Sequence, residues 1–424
     1  MIRPLVFALF SSGLCLPALA ADEWDNDGWD EEESSQAQWH GFVETALGFR
    51  VQEDSTQPDN ENTLADARVQ LEVSDYIGES RYSIKADLYA DGVEHGMKAD
   101  LREALLDLSP QESLDLRLGQ QVMTWGTGDL LFINDMFPKD WVSYFAGRDD
   151  QYLKAPSVSA KASYYNPAAS VDLVWTPIFT SDRFIDGERF SYFSPMAGQQ
   201  ISAHLVPLDP DETFENGELA IRVHGNREGT EWALYGYRGF WKRPNAMTSA
   251  GEAYFSRLDT LGGSLRGNMA GGIANLELGW YEGKDDNGSN PLIPNDQLRV
   301  LVGYERELIS KLTATAQYYL EWTQDYEALK ANDGDSPYRP DEKRHLLTLR
   351  LTYRAMQDNL TFSWFNYWSP SDEDVFMRPS VSYRLDDNTA VVVGANLFSG
   401  NKAHTFFGQF EDASSIYARL RYSF

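Results

Sequence analysis

Apolar and polar residues alternate with period two in segment after segment of this chain, from about residue 38 onward. In VETALGFR (43–50), Val43, Leu47 and Phe49 share one face, and ARVQLEVS (67–74) repeats the pattern. Such alternation is typical of strands with one apolar and one polar face. We count about 18 such segments of roughly ten residues, the length that a tilted membrane strand needs. The pattern predicts an all-β fold, a transmembrane antiparallel β-barrel of about 18 strands.

Short turns and long polar loops alternate between these segments. GNREGT, LISK and LDDN are examples of the turns, and the long loops cover residues 51–63, 126–156, 180–216, 283–296, 323–342 and 399–414. Outer-membrane barrels have short periplasmic turns on one rim and long external loops on the other. We therefore expect an even number of strands, with both ends of the barrel on the periplasmic side.

The composition fits a barrel better than a bundle of membrane helices. Only 42% of the residues are hydrophobic, whereas 22 Tyr, 22 Phe and 12 Trp could supply the aromatic girdles of a barrel. The net charge of −29 argues against nucleic acid as a partner. The expected surroundings are outer-membrane lipids of a Gram-negative bacterium.

The first residues have the features of an export signal. Arg3 precedes an apolar run that ends near Leu16, and Ala18-Leu19-Ala20 fits the small-x-small cleavage pattern. The apolar run is too short for a membrane anchor. We predict a signal peptide at residues 1–20, an acidic periplasmic tail at 21–37 and the barrel at 38–424. The single cysteine, Cys15, lies in the signal, so the mature chain has no disulfide.

The predicted tail carries eight acidic residues between Asp22 and Glu33 and no basic residue. Three interpretations stay open: a disordered segment, a docking segment for a periplasmic partner anchored by Trp24 and Trp29, and a calcium loop. Ser34 stands where a calcium loop needs its bidentate glutamate. We therefore predict no metal and no cofactor.

The last segment, SIYARLRYSF (415–424), alternates up to its final aromatic residue. In a barrel the last strand pairs with the first and has no free edge. The segment resembles the carboxy-terminal signature of bacterial outer-membrane barrels, with Leu420, Tyr422 and Phe424 at the matching positions. The resemblance implies that the barrel-insertion machinery reads these residues. The alternative is the closing strand of a secreted β-sandwich.

Arginines stand opposite the apolar faces of many segments. The candidate lumen-lining residues are Arg68, Arg117, Arg222, Arg299, Arg350, Arg354, Arg419 and Arg421. They could orient a polar solute, or they could simply pair with acids across neighbouring strands. The segments that carry the last four have no inward acid of their own. We therefore expect a basic wall there and a weak preference for anions.

Two of the loops are too apolar to lie in water. Residues 126–156 and the preceding Trp125 contribute the candidate constriction residues Trp125, Leu131, Phe132, Phe137, Trp141 and Phe145. Residues 184–196 (FIDGERFSYFSPM) are similar. Each loop could fold into the lumen as a constriction or form an external cap on neighbouring loops.

The first of these loops also carries a family resemblance. GQQVMTWGTGDLLFINDMFPKDW (119–141) is similar to a stretch of porin-like outer-membrane proteins related to bacterial alginate exporters. The fitting residues are Gly119, Gln121, Trp125, Gly126, Pro138, Lys139 and Asp140, whereas Phe137 stands where Asn is usual and Gln120 takes the Arg position. The resemblance implies a large barrel and transport.

These observations predict an outer-membrane channel or exporter that passes a polar or anionic solute. One alternative is an outer-membrane component of an envelope assembly that moves lipid or another amphiphile. A second is a hydrolase at the barrel rim. The scattered histidines and the lack of a nucleophile motif argue against an enzyme.

Overall fold

The computed structural model describes residues 37–57, 60–285 and 287–424. Residues 37–424 form one compact unit. The predicted signal peptide and all of the predicted acidic tail except Ala37 lie outside the described residues. Within the described ranges, no helix has the length and apolarity needed to span a bilayer.

The unit is a closed barrel of 18 antiparallel strands, the number expected from the alternation. In chain order, β1 to β18 are Gln38–Arg50, Asn62–Ile77, Ser80–Asp91, Gly96–Gln111, Leu114–Gln121, Ser157–Tyr164, Ser170–Thr176, Glu218–Arg227, Thr230–Phe240, Arg257–Met269, Gly272–Gly283, Gln297–Ile309, Leu312–Thr323, Lys343–Ala355, Leu360–Ser369, Asp374–Arg384, Thr389–Gly400 and Ser415–Ser423.

Each strand pairs with its neighbours in sequence, and the ring closes where β18 pairs with β1. This seam runs from Phe42 opposite Ser423 to Arg50 opposite Ser415. The backbone of Phe424 extends it by exchanging two hydrogen bonds with Gly41, of 2.9 and 3.0 Å. Each of the 18 barrel strands in the described ranges is paired on both sides, which is the condition for a sheet to cross a membrane.

The period-two alternation sorts side chains between the two faces of the wall, as predicted. In β1, Val43 and Leu47 are exposed on the outside, whereas Phe42 and Ala46 are buried on the inside. The outside is a continuous apolar surface made by exposed leucine, valine and aromatic side chains of most strands. Such a band matches the hydrocarbon region of a bilayer.

The predicted turns and loops fall on opposite rims. Eight connections of two to five residues lie on the rim that holds the start of β1 and the end of β18. The other rim carries the long loops at 51–61, 122–156, 177–217, 241–256, 284–296, 324–342 and 401–414. The connections at 92–95 and 370–373 on that rim are short, so the alternation of lengths is not strict.

The described loops contain two helices, α1 (Trp141–Ala146) and α2 (Tyr326–Asn332). Three 3₁₀ turns cover Asp150–Leu153, Phe214–Asn216 and Gly408–Ala413. Two short strand pairs stand in the loops, Tyr192–Ser194 with Gln199–Ile201 and Ala246–Met247 with Ala253–Tyr254.

Candidate functional site

The loop at 122–156, called the inserted segment below, lies inside the barrel. Its helix α1 begins at Asp140, whose carboxylate accepts a hydrogen bond from the Ser143 amide at 2.7 Å, and ends at Gly147 in the left-handed conformation. Asp149 caps the 3₁₀ turn that follows. These local caps satisfy backbone groups that would otherwise lack partners, so the segment holds a defined shape within the lumen.

One end of the inserted segment is fastened to the wall at β11. The buried carboxylate of Glu277 accepts hydrogen bonds from the Gly128 amide at 2.7 Å and from Asn134 Nδ2 at 2.9 Å. It also accepts from the hydroxyl of Thr127 at 2.9 Å. A buried carboxylate needs such donors because it has lost its water. Glu277 therefore anchors the turn that enters the lumen.

Further along the wall, the segment is held by β13 and β14. Asp129 accepts two hydrogen bonds from the Arg350 guanidinium, at 2.6 and 2.8 Å. The side chain of Gln317 pairs with the backbone of Asp129, accepting from its amide at 2.7 Å and donating to its carbonyl at 2.8 Å. This double contact fixes the position of Asp129 in the lumen.

The far end of the segment contacts the strands on either side of the seam. Arg148 donates to Asp66 at 2.7 Å and to Asp91 at 3.1 Å, and all three side chains are buried. Asp149 accepts from Arg419 at 2.9 Å and lies 3.4 Å from Arg421. Buried pairs of this kind are costly to break from one side, so the segment is tied to the wall around much of the ring.

These contacts correct the expectation of a free basic wall. The acids that neutralise Arg350, Arg419 and Arg421 come from the inserted segment and from Glu44 on β1, not from the arginines' own strands. Arg354 is exposed near the turn rim, and no ion pair involves it among the described residues. The predicted anion preference, which assumed unpaired arginines, loses its basis at these three positions.

The other four candidate lumen residues are also paired with acids across neighbouring strands. Their closest ion-pair distances are 2.6 Å for Arg68 with Asp87, 2.7 Å for Arg117 with Asp107, 2.7 Å for Arg222 with Asp172 and 3.3 Å for Arg299 with Glu321. Arg68 also lies over the ring of Tyr152 in the inserted segment. The structural alternative of cross-strand pairing thus describes their geometry, while a role in orienting a solute stays a prediction.

The six candidate constriction residues all lie in the barrel. Trp125 contacts Phe137 edge to face, with ring centroids 5.0 Å apart, and Phe132 contacts Trp141 at 6.2 Å. Phe145 is fully buried against aromatic rings of β16 and β17. Leu131 is partly buried against the same apolar cluster. Their part in limiting passage stays a prediction.

A cavity of about 480 Å³ lies between the inserted segment and the wall of β11 to β15. Its lining mixes aromatic rings with charged groups. The basic residues are Lys139, Lys242, Arg243, Arg299, Arg339, Arg344 and Lys402, and the acids are Asp135, Asp182, Glu321, Asp341 and Asp372. A space of this size suits a small organic molecule, and we call it the main cavity.

The second apolar loop, 184–196, packs among the external loops. Arg189 is fully buried and donates to Glu94 at 3.0 Å and to the Thr63 carbonyl at 2.8 Å. Ser191 donates to Asp54 at 2.8 Å. These partners stand at the loop rim, so the geometry is that of the external cap rather than of a second lumen insertion.

One group of side chains in the described ranges could hold a metal ion: Asp186, Glu188 and His204, on the external loop 177–217. Glu188 and His204 are exposed and Asp186 is half-exposed. Exposed acidic groups often approach one another without an ion, so this cluster carries no argument for a metal.

Comparisons with known proteins agree with the fold. A family model described as "Protein of unknown function (DUF1302)" matches residues 54–424. No curated protein matches the chain. Two similar solved structures are Pseudomonas aeruginosa OccK11 (OpdR) and Acinetobacter baumannii OccAB3, with TM-scores of 0.52 and 0.55 and identities of 11% and 8%. The matches cover 91% and 92% of this chain and 95% and 99% of those chains.

A third similar structure is Pseudomonas aeruginosa OccK2 (OpdF) in complex with glucuronate, with a TM-score of 0.54 and 10% identity over 92% of this chain and 97% of that one. At such identities the likeness shows the fold, which is that of Gram-negative outer-membrane channels. The predicted relation to alginate exporters receives no support from these comparisons and stays a prediction.

Proposed function

This chain belongs to the DUF1302 family, and from that premise and its porin fold we propose that it is a selective outer-membrane channel for small organic solutes with polar or anionic groups. The observation that carries the proposal is the inserted segment, which narrows the lumen and leaves the main cavity beside it. In channels, the narrowest lined section decides which solutes pass.

The charges of the main cavity support a solute that is polar and itself charged. Six of the seven basic residues there have an acid partner; Arg299 with Glu321 and Arg344 with Asp372 are examples. Paired groups of both signs create a strong local field without a large net charge, and such a field orients a polar molecule. OccK2, which has a similar fold, was solved in complex with glucuronate, a sugar acid, and organic acids are therefore the first solutes to test.

The aromatic lining supports a second candidate, an outer-membrane component that moves lipid or another amphiphile. Trp141, Trp241 and Phe406 face the main cavity beside its charged groups, and rings of this kind contact apolar bodies. A hydrolase at the rim stays an untested alternative. The neighbours in fold are channels.

Deleting Gly128 to Phe145 tests the proposal directly. We expect a folded barrel with a severalfold larger single-channel conductance in planar bilayers, because the obstruction of the lumen is removed. A matched control deletes α2 (Tyr326–Asn332) from the external loop 324–342, which should change conductance little. Folding of both variants is checked by heat-modifiable mobility. An unchanged conductance in the folded deletion variant would refute the proposal that the inserted segment narrows a conducting lumen.

A further inference from the structure

A second, smaller cavity of about 260 Å³ lies against the main cavity, between the inserted segment and the external loops. Its lining is mostly apolar. Besides the residues that separate it from the main cavity, the lining consists of Phe145, Phe184, Ile185, Tyr192, Leu205, Pro244, Gln409 and Phe410. Among its described lining residues, Arg243 is the single charged group. We call this space the apolar cavity.

Four residues line both cavities and so form the partition between them: Trp141, Arg243, Asn245 and Phe406. The guanidinium carbon of Arg243 lies 5.0 Å from the ring centre of Phe406 and 6.0 Å from that of Trp141. Both rings lie within the distance at which cation–π attraction favours the guanidinium.

Arg243 differs from the other basic residues of the main cavity in having no partner for its charge. None of its guanidinium nitrogens has a hydrogen-bond or ion-pair partner within the described ranges, whereas the other six basic residues each contact an acid. The side chain is nonetheless open to the cavities. Because Arg243 is exposed and has no acid partner within the described ranges, its guanidinium donors are available for an anion that enters.

Among the acids around Arg243, Asp182 has the largest effect on the pKa of its guanidinium, and its charge raises that pKa. Both oxygens of Asp182 already accept hydrogen bonds, from the Lys139 amide at 2.7 Å and from the Trp141 indole at 2.9 Å. Burial raises the pKa of Asp182 above its ordinary value. Within the described ranges its carboxylate makes these two hydrogen bonds, and no ion pair joins it to Arg243.

We propose that Arg243 and the apolar cavity form a binding site for an amphiphilic monoanion, with a carboxylate on the guanidinium and an apolar body among the rings. An apolar space with a single unpaired cation in its wall fits a ligand that has one anionic head group and an apolar body. The planar guanidinium can give two parallel hydrogen bonds to a carboxylate.

Arg344 would assist from the main-cavity side. Its guanidinium carbon lies 5.6 Å from the ring centre of Phe406, the ring that also stacks on Arg243. Arg344 Nε donates to Asp372, but Nη2 is buried without a hydrogen-bond partner. Arg243 and Arg344 thus both lie beside the ring of Phe406. Their two positive charges would favour the passage of a carboxylate between the cavities at this partition.

This proposal rests on the proposed channel and names its substrate class. It is tested on the purified, folded full chain with three soluble probes: 4-phenylbutyrate, its uncharged amide, and butyrate, which lacks the ring. Binding is measured by titration calorimetry, and block of the ionic current is measured in planar bilayers. We expect 4-phenylbutyrate to bind at least about tenfold tighter than either other probe, since each lacks one of the two contacts.

The variant Arg243→Gln should bind 4-phenylbutyrate about tenfold more weakly, the loss expected for one charge-assisted hydrogen bond. Arg243→Lys should recover part of the affinity because it keeps the charge. The control is Arg238→Gln, which removes an equal charge from the outside of β9, where Arg238 pairs with Asp259. This variant should bind 4-phenylbutyrate like the unaltered chain. All three variants must show normal heat-modifiable mobility.

The outcomes separate this proposal from the proposed channel. Equal binding of the three probes, or full affinity in folded Arg243→Gln, overturns the site even if the barrel conducts. Conversely, binding that depends on Arg243 in a barrel whose conductance does not respond to deletion of Gly128 to Phe145 supports the site and overturns the channel.

Discussion

At the scale of single residues, Gly41 shows how little room the seam of the barrel leaves. A Cβ atom at this position would lie 2.5 Å from the Gln70 carbonyl oxygen and 2.8 Å from the ring of Phe424. Both distances are far inside van der Waals contact, and the first atom belongs to the backbone of β2. A side chain here cannot be accommodated without moving β1 from one of its neighbours.

We therefore predict that Gly41→Val lowers the yield of folded barrel. Overpacking of this kind costs about 1–3 kcal/mol, and here it falls on the strand that must pair last. The measurement is the fraction of heat-modifiable protein after refolding in detergent. Gly96→Val is the matched control because a Cβ at Gly96 meets nothing within 4 Å. Equal yields for the two variants would contradict the prediction.

The lumen arginines show what single residues in a sequence can and cannot reveal. Their inward orientation followed from period-two alternation, since Arg350 and Arg419 stand opposite apolar neighbours. The partners of these two, Asp129 and Asp149, are more than 200 residues away in sequence. Nothing in the local pattern of a strand indicates such a contact, so the basic wall looked unpaired. Arg243 was missed because its loop has no apolar periodicity.

At the scale of elements, the strands were predictable and the paths of the loops were not. Alternation and turn residues fix strands locally, which is why the turns predicted at GNREGT, LISK and LDDN all lie between paired strands. The apolar content of residues 126–156 and 184–196 showed that both avoid water, but burial in the lumen and burial under other loops require the same composition. The structure separates them through their polar residues: Asp129 contacts the wall, whereas Arg189 contacts the rim.

The external cap is joined across elements by Asp54 in the loop 51–61, which accepts a hydrogen bond from Ser191 in the loop 177–217. Burial alone would raise the pKa of this carboxyl. Hydrogen bonds from Thr56 and Ser191 and the charge of Arg50 outweigh that effect and hold the pKa of Asp54 below its ordinary value. A lowered pKa in the folded state means that the ionised form stabilises the cap.

We predict that the cap loosens in acid. The stabilisation from Asp54 is present above its ordinary pKa of about 3.9 and is lost as the pH falls through the lower folded value. Cleavage of the loop 51–61 by pepsin should therefore accelerate severalfold between about pH 4 and pH 2 beyond the change in the protease itself. Asp54→Asn should cleave fast throughout, with no such step. A rate in the unaltered chain that tracks only the protease would refute the prediction. The pKa of Asp412 is raised by burial. Asp412 titrates in the unaltered chain and in Asp54→Asn alike, so its titration does not account for a difference between the two proteins.

At the scale of the whole molecule, the barrel combines a net charge of −29 with an apolar outer wall. Most of the charges on the described strands face the lumen or the loops, with Arg238 and Asp259 as an external pair. The rest of the outside is made largely by apolar and aromatic side chains such as Leu420, Tyr422 and Phe424. The fold could be predicted from the sequence because this division repeats on every strand. The contents of the lumen could not, because they depend on contacts between distant parts of the chain.

Phe424 offers a test of assembly at this scale. Its ring is half-exposed on the outside of the seam, so a change there alters no lumen contact. We predict that Phe424→Asp is exported normally but reaches the outer membrane in smaller amounts, because the final aromatic residue should be read by the insertion machinery. Heat-modifiable protein in membrane fractions is the measurement, with Ser423→Asp as the control. Normal amounts of folded Phe424→Asp would count against this role.

The contacts of Asp149 bear on the order in which the parts of the barrel assemble. Its carboxylate contacts Arg419 and Arg421 on β18, and Arg421 in turn lies 2.8 Å from Glu44 on β1. The inserted segment thus contacts the last strand directly, and Arg421 links it to the first strand at the place where the two strands meet. From these contacts we infer that the inserted segment enters the lumen before the two strands join, because a closed ring would have to admit it through the external loops. On this inference, the inserted segment takes its position in the lumen before the barrel closes into a pore.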